Sequence, residues 1–277
     1  MFSFEGYQAA LSSGAIVQRS DRGVLAVSGA DRVSWMQGLL TNDVDHLAEG
    51  ASRYSAYLTP QGRMITDMHV VSRAGRLLLD VPASLAAPLR DRLDGLIFSE
   101  DVHVTDESAA LRVWTVVRPD AMVDVVGEML SAELQSLPAI DLDTFHVIRI
   151  ERGLPLFLVD MNEDTIPLEA GIEDRAISFT KGCYVGQEII VRVTHRGGGR
   201  VAKKLVKWAA DGPARDIPVA GAKILSGARE IGHVTSAAFS PRLGRVVGLG
   251  YVQRDFVEVA TALEIVSSDA RLKAVVS

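Results

Sequence analysis

The strongest limit on the fold of this chain is the run of short apolar segments that follows Gly197-Gly198-Gly199. Residues 203–208, 222–225, 230–236, 246–252, 263–266 and 272–276 are rich in strand formers, and Gly or Pro punctuates most of the gaps. Strands this short and closely spaced bury their apolar faces by pairing into a small all-β barrel or sandwich. The change of character places a boundary near Gly199 and divides the chain into residues 1–198 and 199–277.

The longer first part mixes patterns. Residues 23–28 read as a buried strand, and Asp31 as the N-cap of a helix carrying Val33, Trp35, Met36 and Leu39 and ending near Asn42. Residues 64–71 and 77–81 read as strands, 84–94 as a helix stopped by Gly95, 111–117 as a strand and 120–137 as helix. Asp141 caps a further helix through Phe145, Ile148 and Glu151, which Gly153 and Pro155 stop. Without a regular βαβ rhythm, the fold class is α+β.

At 277 residues with 48% hydrophobic side chains, the chain can bury more than one core. A net charge of −6 argues against a protein whose main task is coating nucleic acid. Met1-Phe2-Ser3-Phe4-Glu5 does not read as a signal peptide, and no run of 18 apolar residues suggests a membrane span, so a cytoplasmic protein is expected. One Cys can neither form an intrachain disulfide nor supply the four thiolates of a cluster or structural zinc site. The six His, at 46, 69, 103, 146, 195 and 233, lack the spacing of a helical zinc motif, so no metal centre held by this chain alone is expected.

Chemistry concentrates in Lys181-Gly182-Cys183-Tyr184-Val185-Gly186-Gln187-Glu188. A lone Cys is ordinarily a small buried hydrophobe. Here glycines bracket it, Lys181 can lower the thiol pKa, and the helix formers Gln187 and Glu188 place it near a helix N-terminus. The β-branched Ile189, Ile190, Val191 and Val193 pull the other way, toward strand. The whole octet reads as an exposed, activated thiol.

The octet resembles the K-G-C-[FY]-x-G-Q-E signature of YgfZ-type proteins, relatives of the folate-dependent aminomethyltransferase (T-protein) of the glycine cleavage system. Gln37-Gly38-Leu39-Leu40-Thr41-Asn42-Asp43-Val44, Pro60-Gln61-Gly62-Arg63 through Asp67, Arg149 to Gly153, and Ile166-Pro167-Leu168-Glu169-Ala170-Gly171 resemble other stretches of that family, in order. Gly232, Ser240-Pro241 and Gly248-Leu249 resemble its closing barrel, so the likeness spans nearly the whole chain. It implies a ring of two interleaved α+β subdomains plus a C-terminal β-barrel, around a hole that accepts tetrahydrofolate or a one-carbon-loaded reduced folate. It also implies a role in making or maintaining iron–sulfur enzymes, with iron–sulfur client or assembly proteins as partners; some members are linked to tRNA modification.

Two acids bear on a folate site. Strand alternation puts Ile65, Asp67, His69 and Val71 on one face, with Asp67 and His69 roughly 7 Å apart. The pattern alone leaves open whether that face meets solvent. By resemblance, Asp67 matches the catalytic aspartate near the reactive nitrogen of folate. Glu151 lies in the last turn of its helix, where the dipole disfavours an anion by ~0.3–1 kcal/mol. There it is either neutralised by Arg149 or Arg152, or it accepts paired hydrogen bonds from a pterin N–H and amino group. The family's matching glutamate contacts the pterin. Asp80 and Val81 match a stretch lining the same pocket, Lys181 and Tyr184 complete the expected binding set, and Tyr57 reads either as an aromatic wall of that pocket or, more simply, as an ordinary core tyrosine.

The enzyme typically carries two adjacent acids where this chain has Thr66-Asp67, and it lacks the Lys-Gly-Cys-Tyr run. The leading reading is therefore a tetrahydrofolate-binding accessory factor for iron–sulfur protein assembly or repair, working through Cys183. A folate-dependent aminomethyltransferase, whose turnover needs Asp67 and survives Cys183→Ser, is the alternative. A tRNA-modification factor rests only on His195, Arg196, Arg200, Lys203 and Lys204 around the glycine run. A cysteine hydrolase would need His195, His69 or His146 beside Cys183.

Overall fold

The computed structural model describes residues 2–196, 198, 200–267 and 271–277. Gly197 and Gly199 of the glycine run lie outside the described residues. The chain divides into two compact units that alternate in sequence. One takes in residues 1–144 and 174–187, the other 145–173 and 188–277.

The first unit holds strands β1 (Ala15–Gln18), β2 (Arg22–Ser28), β3 (Ser52–Leu58), β4 (Met64–Arg73), β5 (Arg76–Pro82), β6 (His103–Asp106), β7 (Arg112–Val117) and β8 (Met122–Gly127). They form a five-stranded sheet, β3-β4-β5-β2-β6, and a three-stranded sheet, β1-β7-β8, antiparallel throughout. Ala74 and Gly75, with φ of 50° and 73°, join β4 to β5 in the two-residue turn whose twist suits a hairpin.

Alternation gives the larger sheet two buried faces. Leu25, Val27, Met68, Val70, Leu77, Leu79 and Val81 pack on one side with Met36 and Leu40 and with Ala86, Leu89 and Leu93 of helix Ala86–Asp94. Val24, Ala26, Val71 and Leu78 pack on the other against Val113 and Val126 of the smaller sheet. Each of these Val, Leu and Met side chains contributes ~1.5–3 kcal/mol of burial. Asp31 stands at the N-cap of helix Arg32–Leu39, but its carboxylate accepts from Asp101 N (2.8 Å) instead of capping the helix.

The helix expected over residues 120–137 is not there. Met122–Gly127 is strand β8, paired with β7, and only Ala132–Gln135 forms a helical turn, capped by Ser131. Val123, Val125 and Val126 are β-branched and fit the pleated surface that β7 presents.

The second unit contains β9 (Lys203–Ala210), β10 (Lys223–Ser226), β11 (Arg229–Ser240), β12 (Arg245–Gln253), β13 (Ala262–Val266) and β14 (Arg271–Val276). These six close into a barrel in the order β10-β11-β12-β9-β14-β13. Trp208 fills its interior with Ile224, Val234, Val246, Val252 and Ile265. Gly248 makes room for the indole, since a Cβ there would lie 2.2 Å from Trp208 Cζ2. Helix Leu142–Glu151 starts at Asp141, whose Oδ1 accepts from Thr144 N (2.8 Å), and Gly153 follows its end at φ 70°.

Candidate functional site

The octet is strapped to the turn after helix Arg32–Leu39. Lys181 Nζ donates to the carbonyls of Gln37 (2.7 Å), Leu40 (2.7 Å) and Asn42 (2.9 Å), and Val185 N to that of Gly38 (3.3 Å). Gly186, at φ 84°, sits so close to the β3–β4 loop that a Cβ would lie 2.6 Å from Thr59 O. Thr41 and Asn42 finish the knot: Thr41 Oγ1 donates to Ala176 O (2.6 Å), and Asn42 Nδ2 to Tyr54 O and Arg175 O (both 2.8 Å). Three of the singled-out stretches thus meet in the first unit.

Within that knot Cys183 is exposed. Two expectations about its activation fail. All three N–H donors of Lys181 are taken by carbonyls, leaving none for a thiolate, and burial pushes the ammonium's pKa down to about 8. The helix that follows is Gln187–Val191, so Cys183 precedes its first turn by several residues, beyond the reach of the dipole. Tyr184 is buried, with Lys181 Nζ 5.4 Å from its ring centre and its phenol pushed up to about 12 by burial.

Asp67 does not face solvent. It lies between the two sheets of the first unit, 3% exposed, with both oxygens held. Arg22 Nη1 lies 3.4 Å from Oδ1, and the Tyr54 hydroxyl donates to Oδ2 (2.9 Å). Arg22 is itself fixed by Asp80, through Nε to Oδ1 (2.6 Å) and Nη2 to the backbone O (2.8 Å). His69, on the same face of β4, stacks on Tyr54 at 4.9 Å and places Nε2 3.5 Å from Asp124 Oδ2.

Burial raises the Asp80 pKa, with Arg22 opposing, while Arg22 is raised because Asp80 and Asp67 outweigh its desolvation. Burial acts upward on Asp124 too, but His69, Arg19 and the Thr115 hydroxyl bring it below its ordinary value. Burial, then Asp67, lifts the Tyr54 phenol. Asp80 Oδ2 is buried without a hydrogen-bond partner, and the side chain of Val81 belongs to the apolar core on the opposite face. Tyr57 is in that core as well.

Glu151 is in the second unit, buried at the end of its helix. The Ser240 hydroxyl donates to Oε1, Arg242 Nε stands 3.8 Å from Oε2, and Lys207 Nζ reaches the backbone O (3.4 Å). Two residues earlier on the helix, the Arg149 guanidinium donates to Asp160 (2.7 Å), Ser236 (2.8 Å) and His146 Nδ1 (2.9 Å). Glu151, Lys207, Arg242 and Arg245 line a cleft of about 440 Å³ with Leu243 and Val247. Sequence reasoning missed Arg22, Tyr54, Arg242 and Ser240, because no local spacing ties them to the acids they hold.

Residues 203–277 match the family model "Glycine cleavage T-protein C-terminal barrel domain". The solved glycine cleavage system aminomethyltransferase T from Bartonella henselae aligns with a TM-score of 0.82, covering 98% of this chain and 87% of that one at 17% identity. This is the glycine cleavage T-protein fold. An aminomethyltransferase of a Geobacillus strain is 24% identical over 323 residues, covering 98% of this chain and 87% of the relative. An aminomethyltransferase of Rubrobacter xylanophilus is 27% identical over 300 residues, covering 89% and 78%. Both alignments are longer than this 277-residue chain, so the aminomethyltransferases carry T-protein segments without counterpart here. An uncharacterised Haemophilus influenzae protein, 27% identical, aligns over 276 residues covering 91% of this chain and 93% of its own.

Proposed function

We propose that this chain is a tetrahydrofolate-binding protein of the aminomethyltransferase type, with Asp67 as the carboxylate that meets the one-carbon unit. The observation that carries it is the fixing of Asp67: a buried acid whose two oxygens are oriented by Arg22 and Tyr54. Similarity to aminomethyltransferases over almost the whole chain supports the same reading.

The second acid fits a pterin. A cleft of about 440 Å³ around Glu151 falls in the size range of small-molecule sites. Ser240 and Arg242 hold its carboxylate at that cleft, and a carboxylate is the group that can accept from a ring N–H and an amino group together. Tetrahydrofolate supplies the nitrogen chemistry of one-carbon transfer. Asp67 supplies a preorganised negative charge that stabilises positive charge on the group in transit.

A second reading is favoured by the exposed thiol. Cys183 on its anchored loop suits a folate-binding accessory factor for iron–sulfur protein assembly or repair. The thiolate would act as nucleophile or transient ligand, and any cluster it touched would share ligands with a partner.

Calorimetric titration with tetrahydrofolate tests the shared part. Saturable binding, weakened by Asp67→Asn and Glu151→Gln but not by Cys183→Ser, is expected. Aminomethyl-transfer turnover that needs Asp67 and survives Cys183→Ser selects the first reading; folate binding without turnover selects the second. Absence of affinity for every reduced folate removes both.

A further inference from the structure

The second unit contains another cleft, of about 300 Å³, between the segment 158–165 and one end of the barrel. Its polar groups include Lys203, His233 and Tyr251, and Leu158, Val159 and Met161 give it an apolar side. Tyr251 is 4% exposed, and its phenol oxygen is buried without a hydrogen-bond partner. The neighbouring Thr165 hydroxyl accepts from Asn162 N (3.1 Å) and donates to Asn162 Oδ1 (3.2 Å); it acts to lower the phenol's pKa against burial but stands outside hydrogen-bond geometry to it. A buried hydroxyl left unbonded costs stability, and where one persists it marks a place for an acceptor from outside the chain.

The surroundings say what kind of acceptor. Lys203 Nζ lies 4.8 Å from the centre of the Tyr251 ring. His233 faces Tyr251 directly across β11 and β12, ring centres 5.8 Å apart. Burial, then the Lys203 charge, lowers the His233 pKa, so near neutral pH it offers one N–H and no second charge. Asp160 behind the cleft is already paired with Arg149, and Asp164 adds a negative charge to the lining. A single fixed cation beside a carboxylate suits a monoanion, not a dianion, and the apolar side asks for an organic group. Leu158 holds φ 70°, a left-handed conformation that a non-glycine residue adopts only when its surroundings impose it.

We propose that this cleft is a binding site for a small organic monocarboxylate, with Lys203 as counter-charge, Tyr251 and His233 as hydrogen-bond donors, and Leu158, Val159 and Met161 against the apolar group. It is distinct from the cleft around Glu151 and does not depend on the folate reading.

The test is a calorimetric titration of the full chain with butyrate, with inorganic phosphate in parallel. Saturable butyrate binding is expected, weakened about tenfold or more by Tyr251→Phe and by Lys203→Ala. Because Tyr251→Phe deletes only the unbonded oxygen, its melting temperature without ligand should equal or exceed that of the parent, which separates lost binding from lost fold. Three results overturn the proposal: no saturation with butyrate, unchanged affinity in Tyr251→Phe, or phosphate binding as tightly as butyrate.

Discussion

Replacing Arg22 by Met should cost the first unit more than any other single polar change described above. The side chain is 6% exposed and pairs with Asp80 at 2.6 Å and Asp67 at 3.4 Å. Methionine fills most of the volume but leaves two buried carboxylates without their cation. Breaking a buried pair by removing one partner costs ~3–5 kcal/mol, a large part of the ~5–15 kcal/mol that holds a domain together. The penalty carries a sign in pH. Asp80 already has a raised pKa, and loss of Arg22 removes the opposing influence, so the folded variant binds a proton more tightly than the unfolded chain. Its stability should therefore recover as pH falls from 7.5 toward 5. Urea unfolding of parent and variant at those two pH values measures both effects, and Arg22→Met/Asp80→Asn should regain part of the loss at pH 7.5. A deficit under about 1 kcal/mol, or one equal at both pH values, would refute the assignment of Arg22 as the buried counter-ion.

Lys181→Met should destabilise the same unit by about 1.5–3 kcal/mol, the value of hydrogen bonds from a charged group, read by urea unfolding at pH 7. Since the folded pKa of Lys181 is about 8 and the unfolded value is 10.5, the unfolded chain holds the proton longer. The parent should therefore gain stability relative to the variant as pH rises between those values, and a constant difference would contradict this. Gly248→Ala should cost the barrel about 1–3 kcal/mol or more through overpacking on Trp208, and a parent-like midpoint would mean that the indole yields freely. Cys183 should react fully with a thiol-specific disulfide reagent in the folded protein, and labelling that waits for denaturant would place the sulfur out of reach.

The sequence made some of this plain and hid the rest for physical reasons. The barrel strands were readable because Gly and Pro bound each short apolar run, and the structure extends them, as when residues 230–236 grow to β11. Alternation on β4 correctly put Asp67 and His69 on one face, but only tertiary structure shows that a second sheet covers it. The segment 120–137 was misread because its apolar residues suit either period until β7 supplies a partner ladder. Helix Phe4–Ser12 and strand β1 lie outside every segment the sequence pattern marks, and β1 is defined only by its pairing with the distant β7. Long-range pairs were the least legible. Arg22 meets Asp80 across 58 residues, and Ser240 meets Glu151 across 89. The role of Lys181 was inverted for the same reason, since its acceptors lie some 140 residues upstream.

Closure of the barrel between β13 and β10 has a consequence for how this part of the molecule behaves in company. An open sheet offers its outermost row of amides to any passing chain, and proteins must blunt such rims with charge, proline or bulges. Here each of the six segments is bonded on both flanks, so a stranger finds no rim to extend, and freeing any one segment means tearing two ladders at once.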